Sequence, residues 1–321
     1  MKLGHIHREA VRVGLELDPR GREAVQSELE RTRRRHADLP AREKEFFDPE
    51  KLENPYADTR IVWGDPDTEV GGLMVGIDVE VGEILLADRL RAGGRRIDAI
   101  LCHHPEGKAL AQFHEVMTMQ ADILAGRGVP INVAEALLAE RIREVSRRIM
   151  PLNHARTGDA ARELSLPLLC VHTPADNTVT DHLQRLLDQR NPARLGEVLE
   201  ILREIPEYHQ AARESAGPTI TVGAEEGRCG RIMVDMTGGT EGSREVFAKL
   251  SVTQTGTLVC MHLSEDHLKE AEKHHINVVV AGHIASDNLG LNLLLDRLTG
   301  SEPLEITAVS GFRRVERPPR G

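Results

Sequence analysis

From Gly71 onward the apolar positions of the chain fall into two alternating rhythms. Short, nearly unbroken apolar runs bounded by Gly, Pro, Asn or Asp read as buried strands. The segments between them repeat apolar residues every three or four positions, as amphipathic helices do. Strands are predicted over 73–77, 97–102, 167–172, 219–223, 231–236, 257–262, 276–281 and 304–309. Helices are predicted over 79–91, 110–125, 132–149, 178–189, 195–205, 241–250, 264–274 and 286–298. Asn132 followed three residues later by Glu135 has the form of a capping arrangement, and Ser264 suits an N-cap. Alternation on this scale predicts the α/β class.

Residues 1–57 follow another pattern. Asp18 and Pro19 suit the N-cap and first position of a helix running towards Arg35. Only Val25 and Leu29 share a clear apolar face on it, so it is expected to pack on a lobe or on a neighbouring subunit rather than to build a core. Residues 48–58, with Pro49 and Pro55, read as a linker. His5 and His7 sit near a terminus, where disorder is common.

Composition narrows the partners. A chain of 321 residues that is 40% hydrophobic can bury the core of a large domain or of two lobes. Its 41 Lys and Arg against 51 Asp and Glu leave a formal charge of −10, which argues against a broad nucleic-acid-binding face. Arg31, Arg33, Arg34 and Arg35 are the clearest basic cluster and read as a solvated helix face. One Trp, two Tyr and five Phe offer little for base stacking. Cys102, Cys170, Cys229 and Cys260 are scattered without a C-x-x-C pair, the usage of a reduced, cytosolic protein. No apolar run approaches the length of a membrane span and the N-terminus lacks a signal-peptide core, so cytoplasm is the expected location.

The candidate chemistry lies at strand ends. Leu101-Cys102-His103-His104-Pro105 puts two adjacent imidazoles after an apolar run. Successive strand side chains point to opposite faces, so both rings reach one site only if the backbone bends there, and Pro105 helps to end the strand. His172 with Asp176, and His283 with Asp287, follow two other predicted strands at a spacing of four. Taken alone, Asp287 reads equally well as a helix-start acid favoured by the dipole, with His283 as a cap. Asp176-Asn177 alone reads slightly better as an Asx-type turn. Together the three fragments are what a metal centre at the carboxyl ends of α/β strands needs.

Nitrogen and carboxylate donors without thiolate suit Zn, Mn, Fe, Co or Ni and do not choose among them. The two oxygens of Asp176 could each take one cation. Two neighbouring metals activate water and clamp a transferring oxygen, which is hydrolytic chemistry. The glycine-rich turn over 236–243 could present backbone N–H groups to a phosphate or another anion, although it lacks the Gly-Lys-Ser/Thr ending of a Walker loop. His114-Glu115 lacks the second histidine of an H-E-x-x-H helix, and His274-His275 closes a charged, solvated helix. Cys102 beside His103 reads as a buried, inert thiol.

The ordered set His103-His104-Pro105, His172-Thr173-x-x-Asp176 and Gly282-His283-x-x-x-Asp287 resembles the Nif-three-like family, also described as GTP cyclohydrolase I type 2 homologues. The run 73–78, the glycines between Gly238 and Gly242, and Leu289-Gly290-Leu291 reinforce the resemblance, which covers about residues 58–309. It implies two α/β lobes with a dinuclear divalent-metal site in the cleft between them, assembled as a ring-like homohexamer. It also implies His103, His104, Asp176, His283 and Asp287 as metal ligands. Asp287 stands where the family usually has Glu, a reach shorter by one methylene, and Glu106-Gly107-Lys108 replaces a commonly apolar stretch.

The expected organisation is a helical extension and linker over 1–57 and a core over 58–321. Lobe one takes about 58–176 plus 276–321, and lobe two about 177–275. The expected function is divalent-metal-dependent hydrolysis of a nucleotide-like or phosphorylated small molecule, with His262 or Glu265 giving acid–base help. Two other readings stay open: ring-opening hydrolysis of GTP, as the family's alternative name implies, and a non-catalytic metal-binding scaffold or regulator.

Overall fold

A computed structural model describes residues 1–300 and 302–317 of the chain. Among these residues the apolar runs form two sheets. The first is ordered β1-β4-β3-β2-β9, with β1 Arg60–Trp63, β2 Gly72–Gly76, β3 Ala99–Cys102, β4 Leu168–Cys170 and β9 Glu305–Val309. The second is ordered β5-β8-β7-β6, with β5 Thr219–Val222, β6 Arg231–Asp235, β7 Thr255–Cys260 and β8 Asn277–Val280. In each sheet one edge strand, β1 or β5, runs antiparallel and the other pairings are parallel. Every residue of β2, β3 and β4 is buried, which is why these strands read as continuous apolar runs without alternation.

Residues 276–281 belong elsewhere than the sequence pattern suggests. β8 lies inside the second sheet, between β5 and β7, and only β9 returns to the first. A short apolar run fits either sheet by composition. The helix Glu265–Lys273 makes a compact crossover from β7 to β8, and such units leave consecutive strands as neighbours.

The N-terminal segment is not an appendage. The helix Leu3–Glu16 buries Leu3, Ile6, Ala10 and Val13 in the same cluster as Leu73, Val75, Leu101 and Leu169 of the first sheet. His7 is held inside this ordered structure, with Nε2 3.0 Å from a Glu50 carboxylate oxygen. The next helix, Arg22–Asp38, does bury only Val25 and Leu29. The stretch read as a linker contributes Tyr56 and Asp58 to the interior, and β1 follows it.

Two long helices run through the middle of the molecule. Thr173–Arg190 carries Asp176, and His283–Thr299 carries Asp287. Ala175, Leu291, Leu294 and Leu295 pack in the first-sheet core. Val179, Leu183, Leu289 and Leu293 pack in the core of the second. At their crossing, a Cβ on Gly290 would lie 2.5 Å from the carbonyl oxygen of Ala175, so only glycine permits this approach. The Asp176 helix begins five residues before its predicted start because Pro174 occupies the first turn, where its missing N–H costs nothing. The predicted helix over 110–125 is divided into Gly107–Ala111, a 3-10 turn Phe113–Thr118 and Met119–Gly126. The helix expected over 241–250 is shortened to Val246–Leu250 after the glycine-rich turn.

Candidate metal centre

Three strand ends and two helix starts deliver the His/Asp fragments to one place in the cleft. His103 and His104 follow β3, whose backbone bends so that the rings lie with centroids 5.3 Å apart. His172 and Asp176 follow β4, and His283 and Asp287 follow β8 after Gly282, whose φ of 108° allows the sharp turn. Asp176 sits on the first turn of its helix, where the dipole favours a carboxylate, and Asp287 lies one turn into its own helix, four residues after His283.

The contacts sort the donors into two overlapping sets. His103 Nε2 lies 3.4 Å from Asp176 Oδ1 and 3.4 Å from Asp287 Oδ1. His104 Nε2 lies 3.5 Å, and His283 Nε2 3.6 Å, from Asp287 Oδ2. Asp287 thus presents one oxygen to each set. Within each set the donor atoms all lie within 4.8 Å of one another. Donors about 2.1 Å from a shared cation at tetrahedral angles stand roughly 3.4 Å apart, so the spacing suits a metal ion.

The surroundings fix which ring nitrogens face inwards. His103 Nδ1 is 3.1 Å from the Val171 carbonyl oxygen, to which it can only donate, so Nε2 is the nitrogen that can give up its proton to a metal. His104 Nδ1 is 2.6 Å from Asp78 Oδ1, which fixes the same tautomer. The His172 ring stacks on His103 with centroids 4.7 Å apart. His172 Nδ1 is 3.0 Å from Asp58 Oδ2, which also accepts a 2.6 Å hydrogen bond from Thr173 Oγ1. Phe113 closes the outer side of His172 edge-on.

Four inward atoms of this cluster are buried without a hydrogen-bond partner: His103 Nε2, Asp176 Oδ1, and both carboxylate oxygens of Asp287. Orphaned polar atoms are costly in a protein interior, and a shared cation satisfies all four at once. The residues present therefore fit a metal ion.

Electrostatics show the same pull. Burial disfavours the His103 imidazolium, yet Asp287 and Asp176 outweigh it and hold the ring well above its ordinary pKa. Burial alone would raise the Asp287 carboxyl, but His103, His104 and His283 hold it far below the usual carboxylate range. His283 is pushed down by burial, and His104, His262 and His103 add repulsion.

The structure brings together all five residues that the resemblance implies, and adds His172 to them. Of the two acid–base candidates, His262 lines the cleft with its ring 5.0 Å from His283, and its Nδ1 is 3.4 Å from Glu241 Oε1. Glu265 does not reach the cleft: it is exposed at the start of its helix and pairs with Lys269 one turn on. Asp58 and Asp78 do not read as site residues in the sequence because neither lies in a spaced motif; Asp58 falls at the end of an apparent linker, and Asp78 only closes the run 73–78 just beyond a strand. Cys102 is fully buried, and the neighbouring Cys170 and burial push its thiol well up, as expected for an inert residue. Glu115 pairs with Lys51, and His274 with Glu270.

No family model matches the chain, and no curated protein matches it. Among solved structures, a NIF3 superfamily protein from Sphaerobacter thermophilus is 25% identical and superposes with a TM-score of 0.72, covering 95% of this chain and 98% of that one. Reduced HcgD from Methanocaldococcus jannaschii, 18% identical, shares the fold with a TM-score of 0.51 over 84% of this chain and 97% of its own. Two α/β lobes around a His/Asp cluster that could hold a metal ion define the class of protein. Within it, the chain belongs to the NIF3 superfamily.

Proposed function

We propose that the protein is a divalent-metal-dependent hydrolase of a nucleotide-like or phosphorylated small molecule, with two ions held in the cleft. The observation that carries this reading is the set of four partnerless buried donor atoms, centred on Asp287 and opening onto a cavity. His103, Asp176 and one Asp287 oxygen would hold one ion, and His104, His283 and the other Asp287 oxygen the second. Bound there, divalent ions lower the pKa of water and stabilise charge developing on a phosphoryl or carbonyl oxygen.

The chain's own residues supply orientation and shielding. Val171 and Asp78 lock the His103 and His104 tautomers, and Asp58 fixes His172 against them. Phe113 limits water on the His172 side. His262, oriented by Glu241, stands at the mouth, where it can hand a proton to a departing group. The family resemblance supports assembly as a homohexamer, which sedimentation velocity tests as a particle of six 35.5 kDa chains.

Elemental analysis of purified wild type and Asp176→Ala tests the site. Wild type should carry close to two equivalents of divalent metal, and the variant should lose at least one of them. Undiminished metal in Asp176→Ala would sink the assignment. Release of inorganic phosphate or of a nucleoside from a phosphoester panel, abolished by chelation and restored by metal, tests the activity.

A further inference from the structure

The cleft extends past the His/Asp cluster into lobe two, as a cavity of about 110 Å³. Asp176, His283 and Asp287 stand at its mouth, and Met233, Phe247 and Leu258 line its apolar interior. That is somewhat below the ~150 Å³ that admits benzene, and the cavity opens onto the cleft, so one small ring is the largest group it takes. Gln120, Thr240, Glu241 and His262 also line it, and one polar group there is left without a partner. The carboxyl of Asp235, at the end of β6, lines the cavity and makes no hydrogen bond or ion pair to any described residue.

Burial pushes that carboxyl up to about 6, only partly opposed by His262 and Arg127. The carboxyl is half-buried and open to the cavity, and with no donor from the described residues it can accept an N–H or O–H from whatever occupies that space. The wall beside it is preformed. Gly238 and Gly239 adopt φ of 94° and 86°, and Gln120 Nε2 donates to the carbonyl oxygens of Gly238 and Thr240 at 2.6 and 2.7 Å. A Cβ on Gly238 would lie 2.7 Å from Gln120 Cγ, so the turn is clamped as a fixed roof over the cavity.

We propose that this lobe-two cavity binds the substrate through a small apolar ring bearing N–H donors, with Asp235 as the acceptor that selects it. The inference rests on the hydrolase reading in placing the ring beside the metal centre, so that a group attached to it reaches Asp176, His283 and Asp287 at the mouth. An anionic ring substituent is disfavoured by Asp235 and Glu241, which both face the cavity. A purely hydrocarbon ring leaves the carboxylate without a partner.

Benzamidine, an apolar ring with an amidinium fork, is the probe. It is titrated by calorimetry into the full chain loaded with Mn²⁺, alongside toluene and benzoate. Saturable benzamidine binding is expected, weakened about tenfold or more in Asp235→Asn, because a neutral amide cannot replace the charged acceptor. Val246→Phe, at the start of its helix and lining the same cavity, should weaken binding comparably by filling it. Circular dichroism melts confirm that both variants fold. Binding unchanged in either variant, or toluene or benzoate binding as tightly as benzamidine, overturns the proposal. The readout needs no turnover: an inactive protein that binds benzamidine through Asp235 refutes the hydrolase reading alone, and an active one that does not refutes this inference alone.

Discussion

At the scale of single residues, the site depends on carboxylates of two kinds. Asp176 and Asp287 point inwards with partnerless oxygens, whereas Asp58 and Asp78 spend theirs on the outer nitrogens of His172 and His104. Losing such an outer partner leaves the donor present but free to rotate or change tautomer. Asp78→Ala should therefore keep the fold and weaken metal binding about 10- to 100-fold, measured by competition with a chromophoric chelator. Protonation gives a second test. His103 is raised above its ordinary value, so in metal-free protein its stabilising contribution is complete below about pH 6.5 and fades as pH rises through the raised value. Asp287 is lowered, so its contribution is present above about pH 4 and fades as pH falls through the depressed value. Metal-free protein should lose stability in urea as the pH rises above about 6.5. Metal must displace the His103 proton, so the stabilisation gained on adding metal should grow over the same interval.

At the scale of elements, the helices Thr173–Arg190 and His283–Thr299 set the distance between the two inward carboxylates. Their approach is limited by Gly290 against the Ala175 carbonyl, one residue before Asp176. Gly290→Ala should push the helices apart, at a cost of about 1–3 kcal/mol in chemical denaturation, and lower metal occupancy as well. Stability lost with full metal occupancy retained would show that the crossing does not govern the site. The sequence pattern already marked both helices and put Asp287 on the second, four residues from His283 on one face of a helical turn, whereas Asp176 read as a turn before its helix. It placed the helix starts too late, because prolines and glycines near a helix start read as breakers whether or not the helix has already begun.

At the scale of the whole molecule, the N-terminal segment is part of lobe one. Ile6 is fully buried against the first sheet, and Asp58, at the end of the same segment, holds His172. Ile6→Ala should destabilise the entire protein by about 2–4 kcal/mol in a single cooperative transition. A dispensable extension would show no such loss. Among the described residues no helix is long and apolar enough to cross a membrane.

By itself the sequence determined the strand–helix alternation, the buried character of β2, β3 and β4, and the three strand-end fragments that carry every inward donor of the cluster. These are local properties: apolar periodicity, a glycine or proline at a turn, and a spacing of four on one helix face. Only the tertiary structure decided that β8 joins the second sheet, that the Leu3–Glu16 helix is core, that Asp58 and Asp78 orient two histidines, and that Asp235 faces a cavity without a partner. Each of these depends on which distant surface an element meets. A short apolar run or a single Asp carries the same local signal whichever neighbour it finds, and the choice is made by how both lobes pack around the two central helices.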